Sequence, residues 1–293
     1  MKKKILILSV LIISLSSSIF ATYQDSLINK EDSPVQFFIE YEKGFLDVIY
    51  HTIQIGDPGD LFNYVTQGGQ DILFPTERFA AGAVINKRHR VTLLYQPFEI
   101  NTVVPFEESV KIDGKDIGQG ATSTAPVPVE LKYSFPFWRI SYGYDVLQDP
   151  NLTLAVGGAL QIRNASIVFK EVGGTNASVS QNVGPVPALY IYARWETPYD
   201  INITADITGS YASSAILNGA NFEFEGSLLD ASLRVGYNLK HNMEIYTNFR
   251  FLGGTSKGTS SYDGSSWSVA SLGGRYGQNN LATFSATMGL TIN

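Results

Sequence analysis

The side chains of this sequence that could do chemistry are charged residues set into stretches where polar and apolar residues alternate. Glu130 and Lys132, Arg163, Arg194 and Glu196, Asp206, Arg234, Glu244 and Arg250 all take the polar phase of such a stretch. Alternate residues of an extended strand share a face, so this spacing gathers carboxylates and guanidiniums on one side of a sheet. Opposite charges held there can pair and fill an enclosed interior, or line a polar path for ions. Counted from the turns between them, Asp206 and Arg234 fall at similar heights on neighbouring stretches, which makes them the expected ion pair.

Acid–base chemistry has less to work with. The chain holds three histidines, His51, His89 and His241, and the last two fall in or beside polar turns. His51, with Asp57 and Asp60 a few residues on, is the cluster that could imitate a protease's acid and base, and such chemistry needs groups within hydrogen-bond reach. No phosphate loop, metal-ligand spacing or dinucleotide fingerprint occurs. The expectation is a non-enzyme with no cofactor and no metal, with a hydrolase as the distant third reading.

The elements that position these residues read as strands. From Leu281 to Ile292 the residues Ala282, Phe284, Ala286, Met288, Leu290 and Ile292 share one face, opposite Thr283, Ser285, Thr287, Gly289 and Thr291. Asn151 to Arg163 repeats this, with Thr153, Ala155, Gly157, Ala159, Gln161 and Arg163 on the small or polar side. Ile201, Ile203, Ala205 and Ile207 oppose Asn202, Thr204, Asp206 and Thr208, and Met243 to Phe251 opposes Glu244, Tyr246, Asn248 and Arg250. Phase changes near Trp138-Arg139 and at Leu228-Leu229 predict bulges. Pro185 and Pro187, which cannot donate to a ladder, predict a loosened or bulged rim.

The connections alternate in length. Asn86 to His89, Gln148 to Asn151, Thr197 to Asp200 and Leu239 to Asn242 are tight and polar or proline-containing. Asp57 to Phe74, Val103 to Ala125, Glu171 to Asn182, Ser213 to Asn221 and Gly253 to Asn279 are longer and rich in Gly, Ser, Thr and Asn. Short turns at one end and long loops at the other are the asymmetry of membrane barrels. Tyr142, Tyr144, Trp195, Tyr199 and Tyr237 flank the tight turns, where amphipathic rings suit a membrane interface.

Met1 to Ala21 reads as an export signal: Lys2, Lys3 and Lys4, the apolar run Ile5 to Leu15, a serine-rich stretch, and Ala21 at the cut. The run is shorter than the roughly 20 residues a spanning helix needs. Hydrophobic residues make up 44% of the chain and charged ones 16%. With no cysteine, disulfides and thiolate chemistry are excluded. Three of the 21 Lys and Arg leave with the leader, so the 27 Asp and Glu outnumber the remaining 18 by nine. That balance disfavours nucleic acid as a partner.

With these features the chain resembles the small outer-membrane barrels of the OmpA, OmpX and OmpW kind. The closing Met288-Gly289-Leu290-Thr291-Ile292-Asn293 looks like their assembly signal, with Asn293 where an aromatic residue is usual. The expected fold is all-β, a single antiparallel transmembrane β-barrel of about ten strands (8 to 12) over residues 22–293. The resemblance implies location in the cell outer membrane of a Gram-negative bacterium. Its implied partners are outer-membrane lipid and the barrel-assembly machinery, and the chain is expected to be a monomer. Its expected role is structural or surface-interacting, and a narrow channel for ions or small solutes is the alternative.

Overall fold

The protein is described here from a computed structural model covering residues 33–56, 59–213, 224–260 and 275–293. The leader Met1 to Ala21, Asp57, and most of the predicted loops Ser213 to Asn221 and Gly253 to Asn279 lie outside the described residues. Among the described residues the regular structure is all strand, with no helix. In chain order the strands are β1 (Val35–Ile55), β2 (Phe62–Asn63), β3 (Phe74–Ile85), β4 (His89–Gln96) and β5 (Glu99–Phe106). There follow β6 (Val110–Ile112), β7 (Lys115–Ile117), β8 (Val127–Ser134), β9 (Phe137–Asp145) and β10 (Leu152–Glu171). The last five are β11 (Ala177–Glu196), β12 (Ile201–Ser213), β13 (Phe224–Leu239), β14 (Met243–Ser260) and β15 (Arg275–Ile292).

Ten of them close into an antiparallel ring in the order β1, β3, β4, β9, β10, β11, β12, β13, β14, β15, with β15 returning to β1 from Ile39↔Ile292 to Ile55↔Gly277. The predicted tight turns all sit at one end. Asn86 and Lys87 turn β3 into β4, and His241 and Asn242 turn β13 into β14, each pair at positive φ. That is the type I′ geometry that two-residue hairpins require. Asn293 donates its amide to Asn242 O at 2.9 Å, which pins the last strand to the same end.

Alternation sorts the side chains of the ring as predicted. On β15, Thr283, Ser285, Thr287 and Thr291 are buried inside the ring, whereas Phe284 and Met288 are exposed outside, Met288 at 72%. Phe37, Ile39, Trp138, Ile140, Val156, Ile162, Leu189, Leu233, Val235 and Phe249 continue an apolar outer belt. Tyr142, Trp195, Tyr199 and Tyr237 are exposed close to the turns. An exposed apolar surface of this extent needs an apolar environment.

At the opposite end the ring changes character. Pro97-Phe98 and Phe135-Pro136 interrupt what would otherwise be two continuous strands, β4 with β5 and β8 with β9. Beyond the prolines β8 stays laddered to β10 from Ser134↔Ser166 to Val129↔Glu171, and β5 pairs with β8, but neither pairs with β3. The β6–β7 hairpin turns on Asp113 and Gly114, both at positive φ, and docks on β1 through Asp113 N to Ile55 O at 2.8 Å.

Several predicted irregularities are relocated. Register runs unbroken through Trp138-Arg139 and Leu228-Leu229, so neither site is a bulge. The register shift falls in β1 between Val48 and Tyr50, where the inward phase moves from Val48 to His51. Pro185 and Pro187 do loosen the wall without bulging it. Their ladder to β10 is continuous, but the β11–β12 ladder stops at Leu189↔Gly209. Ser210 Oγ donates to Pro187 O at 2.6 Å, so this backbone edge faces β12, where a proline has no N–H to offer. The predicted loop from Gly253 begins late, because β14 runs on to Ser260.

Candidate functional site

Two layers fill the ring. The layer nearer the turns is ionic and built by strands far apart in sequence. Glu42 on β1 faces Arg78 on β3 across one rung and pairs with it at 3.1 Å, while Asn248 Nδ2 and Thr287 Oγ1 each donate to its second oxygen at 2.9 Å. Arg234 reaches across the lumen from β13 to grip both oxygens of Glu40 at 3.1 and 2.9 Å. Arg139 on β9 binds Asp230 on β13 at 2.7 Å, and Arg250 binds both Asp230 and the amide oxygen of Gln96. Arg194 closes the layer at the turn end, with Glu244 at 2.8 Å and Glu196 at 3.0 Å.

Aromatic rings and glycines make this layer possible. The Arg90 guanidinium lies 4.1 Å from the ring centres of both Phe38 and Tyr192 and 3.7 Å from Glu40, and Arg234 stacks 3.8 Å over Tyr246. Planar guanidinium suits such stacking while its fork holds a carboxylate. Gly289 lets the Tyr246 ring lie across β15, since a Cβ there would come within 2.2 Å of the ring. Each ion is therefore paired, hydrogen-bonded or stacked, which is what burial of charge demands.

The outer layer is apolar. Leu46, Val48, Phe74, Leu94, Phe98, Ile100, Phe135, Phe137, Leu228, Leu252 and Leu281 converge from around the ring. Above them Ile53, Phe62, Tyr64, Phe106, Ile112, Ile117, Val129, Leu131 and Phe169 form a cap from β1, β2, the β5–β8 extension and β10. Burial pushes the Tyr64 phenol up from its usual range.

Against this geometry the predicted residues divide. Arg163, Arg194, Asp206, Arg234, Glu244 and Arg250 take the inward phase of their strands. Glu130 and Lys132 do not. On β8 it is Val129, Leu131 and Tyr133 that face inward, while Glu130 is exposed and Lys132 pairs on the outer surface with Glu99 at 2.7 Å. The cause is the cap: above the belt the apolar residues turn inward and charge goes outward to water. Lys132 and Asn101 hold the Glu99 carboxyl below its usual range. The expected Asp206–Arg234 pair does not form either. Arg234 goes to Glu40, and Asp206 accepts from Tyr190 Oη at 3.3 Å.

Glu40, Glu42, Arg78, Arg90, Arg139 and Asp230 were missed from the sequence. The signal existed in β1, where Phe37, Ile39 and Tyr41 alternate with Phe38, Glu40 and Glu42. Outward Lys43 and inward Leu46 and Val48 obscured it.

The histidine cluster does not assemble as an acid–base pair among the described residues. His51 is fully buried, its Nδ1 lies 2.7 Å from Gln70 Oε1, and its ring stacks on Tyr64 at 4.2 Å with Tyr133 edge-on at 4.3 Å. Asp60 instead accepts the Lys111 amide at 2.7 Å, and Asp57 lies outside the described residues. His89 lies 2.9 Å from Tyr142 Oη near a turn. No group of three or more metal-ligating side chains occurs among the described residues.

No protein-family model and no curated protein matches this sequence. Solved structures do. The Escherichia coli outer membrane protease OmpT superposes with a TM-score of 0.51 at 10% identity, over 89% of this chain and 97% of that one. OprG of Pseudomonas aeruginosa matches at 0.33 and 8%, over 89% and 97%, and Ail of Yersinia pestis at 0.32 and 10%, over 88% and 99%. At such identities likeness speaks of architecture alone. The closed ring of ten antiparallel strands, its one-ended tight turns and the OmpT superposition give this chain the fold of the small outer-membrane β-barrels.

Proposed function

We propose that the chain is an outer-membrane barrel of a Gram-negative bacterium whose interior is closed and whose work is done at its capped outer end. Its role on this reading is structural or surface-interacting and non-enzymatic. The observation that carries it is the ionic layer, in which Glu40, Glu42 and Asp230 tie β1, β3, β9, β13 and β14 together across the lumen. Paired charges with packed stems leave little room for a continuous water column, and the apolar cap lies beyond them. His51 bonded to an amide rather than a carboxylate supports the non-enzymatic part. The lipid-facing belt supports membrane lipid as the main partner, the barrel-assembly machinery as the transient one, and a monomer as the working form.

A narrow channel is the second reading, favoured by Thr204 and Thr208, whose hydroxyls line the inward face of β12 without protein partners. Single-channel recording of the refolded protein in planar bilayers separates the two. Closure predicts no steady current, with leak appearing in Arg234→Ala; a large, stable, ion-selective conductance of the unmutated protein makes the channel primary. Location has its own test. The mature chain is expected in the outer-membrane fraction, with an altered gel mobility when unheated, and a soluble periplasmic monomer would remove the proposal.

A further inference from the structure

On the wall made by β13, β14, β15 and β1 the outer face changes from apolar to polar along one line. The outward row of β15 runs Phe284, Ala282, Asn280, that of β14 runs Phe251, Gly253, Thr255, and that of β13 runs Ala231, Leu229, Ser227. The ladders put these residues on shared rungs. Phe284, Phe251 and Ala231 make an apolar rung, and Asn280, Thr255 and Ser227 make a polar one. Between the two lies the rung Tyr50, Ala282, Gly253, Leu229, in which two large side chains flank two positions that carry at most a methyl group.

That middle rung cannot fill its own width, and a groove of about 490 Å³ opens there on the outer face. Its size falls in the range of sites for small molecules. The register shift in β1 builds one wall, because it turns Tyr50 outward beside Ala282, and Thr52 Oγ1 donates to the Tyr50 hydroxyl at 3.3 Å. Leu229 is the opposite wall; Tyr50 is 49% exposed and Leu229 45%. Gly253 lowers the floor, since a Cβ there would stand 2.8 Å from the Phe251 ring, which lies back across the strand.

The rim above the groove is polar and uncharged. Ser227 Oγ and Thr255 Oγ1 bond to each other at 2.8 Å through one hydroxyl hydrogen, so among the described residues the other is left to donate. Asn280 Nδ2 donates to Thr52 Oγ1 at 3.3 Å and keeps a second N–H. Below, the groove runs without a break into the apolar belt of Phe284 and Phe249. An apolar trough with uncharged donors at its upper edge matches one end of a lipid chain, whose ester carbonyl accepts and whose methylenes leave water.

We infer that this groove is a fixed seat for one acyl chain of a membrane lipid. The ester carbonyl meets the Ser227, Thr255 and Asn280 rung, and the methylenes lie along Ala282, Gly253 and Phe251. The inference rests on the membrane location proposed above and adds a single occupied site to it, where the rest of the belt meets lipid only in passing.

The test reconstitutes the protein in vesicles of dioleoyl phosphatidylethanolamine and phosphatidylglycerol in equal parts. Flotation with the vesicles is scored first, and retained lipid is then counted by native mass spectrometry after release into mild detergent. The unmutated protein should keep one lipid, of either headgroup. Ala282→Leu, which fills the trough, should keep at least tenfold less, whereas Ala286→Leu, the same change on the same face of β15 but outside the groove, should keep as much as the unmutated protein. Tyr50→Ala removes a wall without adding volume and should lower retention as well. No lipid on the floated, unmutated protein, or equal retention by Ala282→Leu or by Tyr50→Ala, would overturn the site and leave the membrane location standing. Failure of the unmutated protein to float would remove both.

Discussion

The two halves of the interior are made by the same strands under opposite rules. Near the turns, Thr287, Asn248, Arg234 and Glu40 point inward and Met288, Phe249 and Val235 point outward. Near the cap, Leu131, Val129 and Tyr133 point inward and Glu130 faces out. On the proposed membrane location, what differs is the environment outside the wall: hydrocarbon against the lower belt demands an apolar outer face, whereas water around the upper rim accepts charge and drives apolar groups into the ring. Polarity along a barrel strand therefore reports height as well as direction.

Breaking the ionic half should have the largest effect. Asp230→Asn leaves Arg139 and Arg250 without their shared carboxylate, and removal of one partner of a buried pair costs about 3–5 kcal/mol. Reversible urea unfolding in lipid vesicles measures this loss; a change under about 1 kcal/mol would show that the layer is solvated. The companion cycle of Glu40→Ala, Arg234→Ala and the double variant should recover part of the stability in the double, because their coupling is direct.

The apolar half should respond to volume instead of charge. Phe169 is fully buried against Phe62 at 5.1 Å and Tyr64 at 5.6 Å, so Phe169→Ala should cost about 3 kcal/mol. Phe169→Leu should recover most of that loss, and equal losses for both would mean that the cap is not tightly packed.

On the outer face, Phe284→Arg should cost roughly 2–4 kcal/mol near the bilayer midplane, and Phe284→Leu little, because it keeps that face apolar. Similar losses for both substitutions would remove the inside–outside assignment.

The smallest effect belongs to the rim. Lys132 and Glu99 are an exposed pair, worth about 0–1 kcal/mol. Because the Glu99 carboxyl is held below its usual 4.5, its contribution is present above that pH and disappears as pH falls through the lowered value. Lys132→Ala should therefore be mildly destabilising at pH 7 and neutral near pH 2. A loss that grows on acidification would contradict the pairing.

Ring closure, turn positions and the faces of β10, β11, β14 and β15 were legible in the sequence because an apolar outer face and a polar inner one impose strict alternation on them. Asn86, Gln148, Asp200 and Asn242 sit at positive φ where polar turn residues were expected. Legibility failed where that constraint lapses. Gly253 to Ser260 carries no apolar face and reads as loop, yet hydrogen bonding to β13 and β15 extends β14 through it. Leu228-Leu229 looks like a phase slip only because Leu228 enters the apolar layer. The choice of ion-pair partners was illegible for a different reason: Asp206 and Arg234 are diagonal neighbours on adjacent strands, but a long guanidinium stem spans the lumen as readily as it spans a rung.

The span of those contacts along the chain also sets an order of events. Arg234 lies 194 residues from Glu40, and Thr287 lies 245 residues from Glu42. During synthesis the two carboxylates appear first, Arg78 and Arg90 soon after, and Arg234, Asn248 and Thr287 near the end, so the cluster around β1 stays incomplete until β15 arrives to close the ring. Contacts this distant form slowly. Once formed they are shielded by the seam that completes them, since water regains Glu40 and Glu42 only after β1 and β15 part. The ionic layer is thus a late-forming lock, whose main contribution is to the lifetime of the closed barrel.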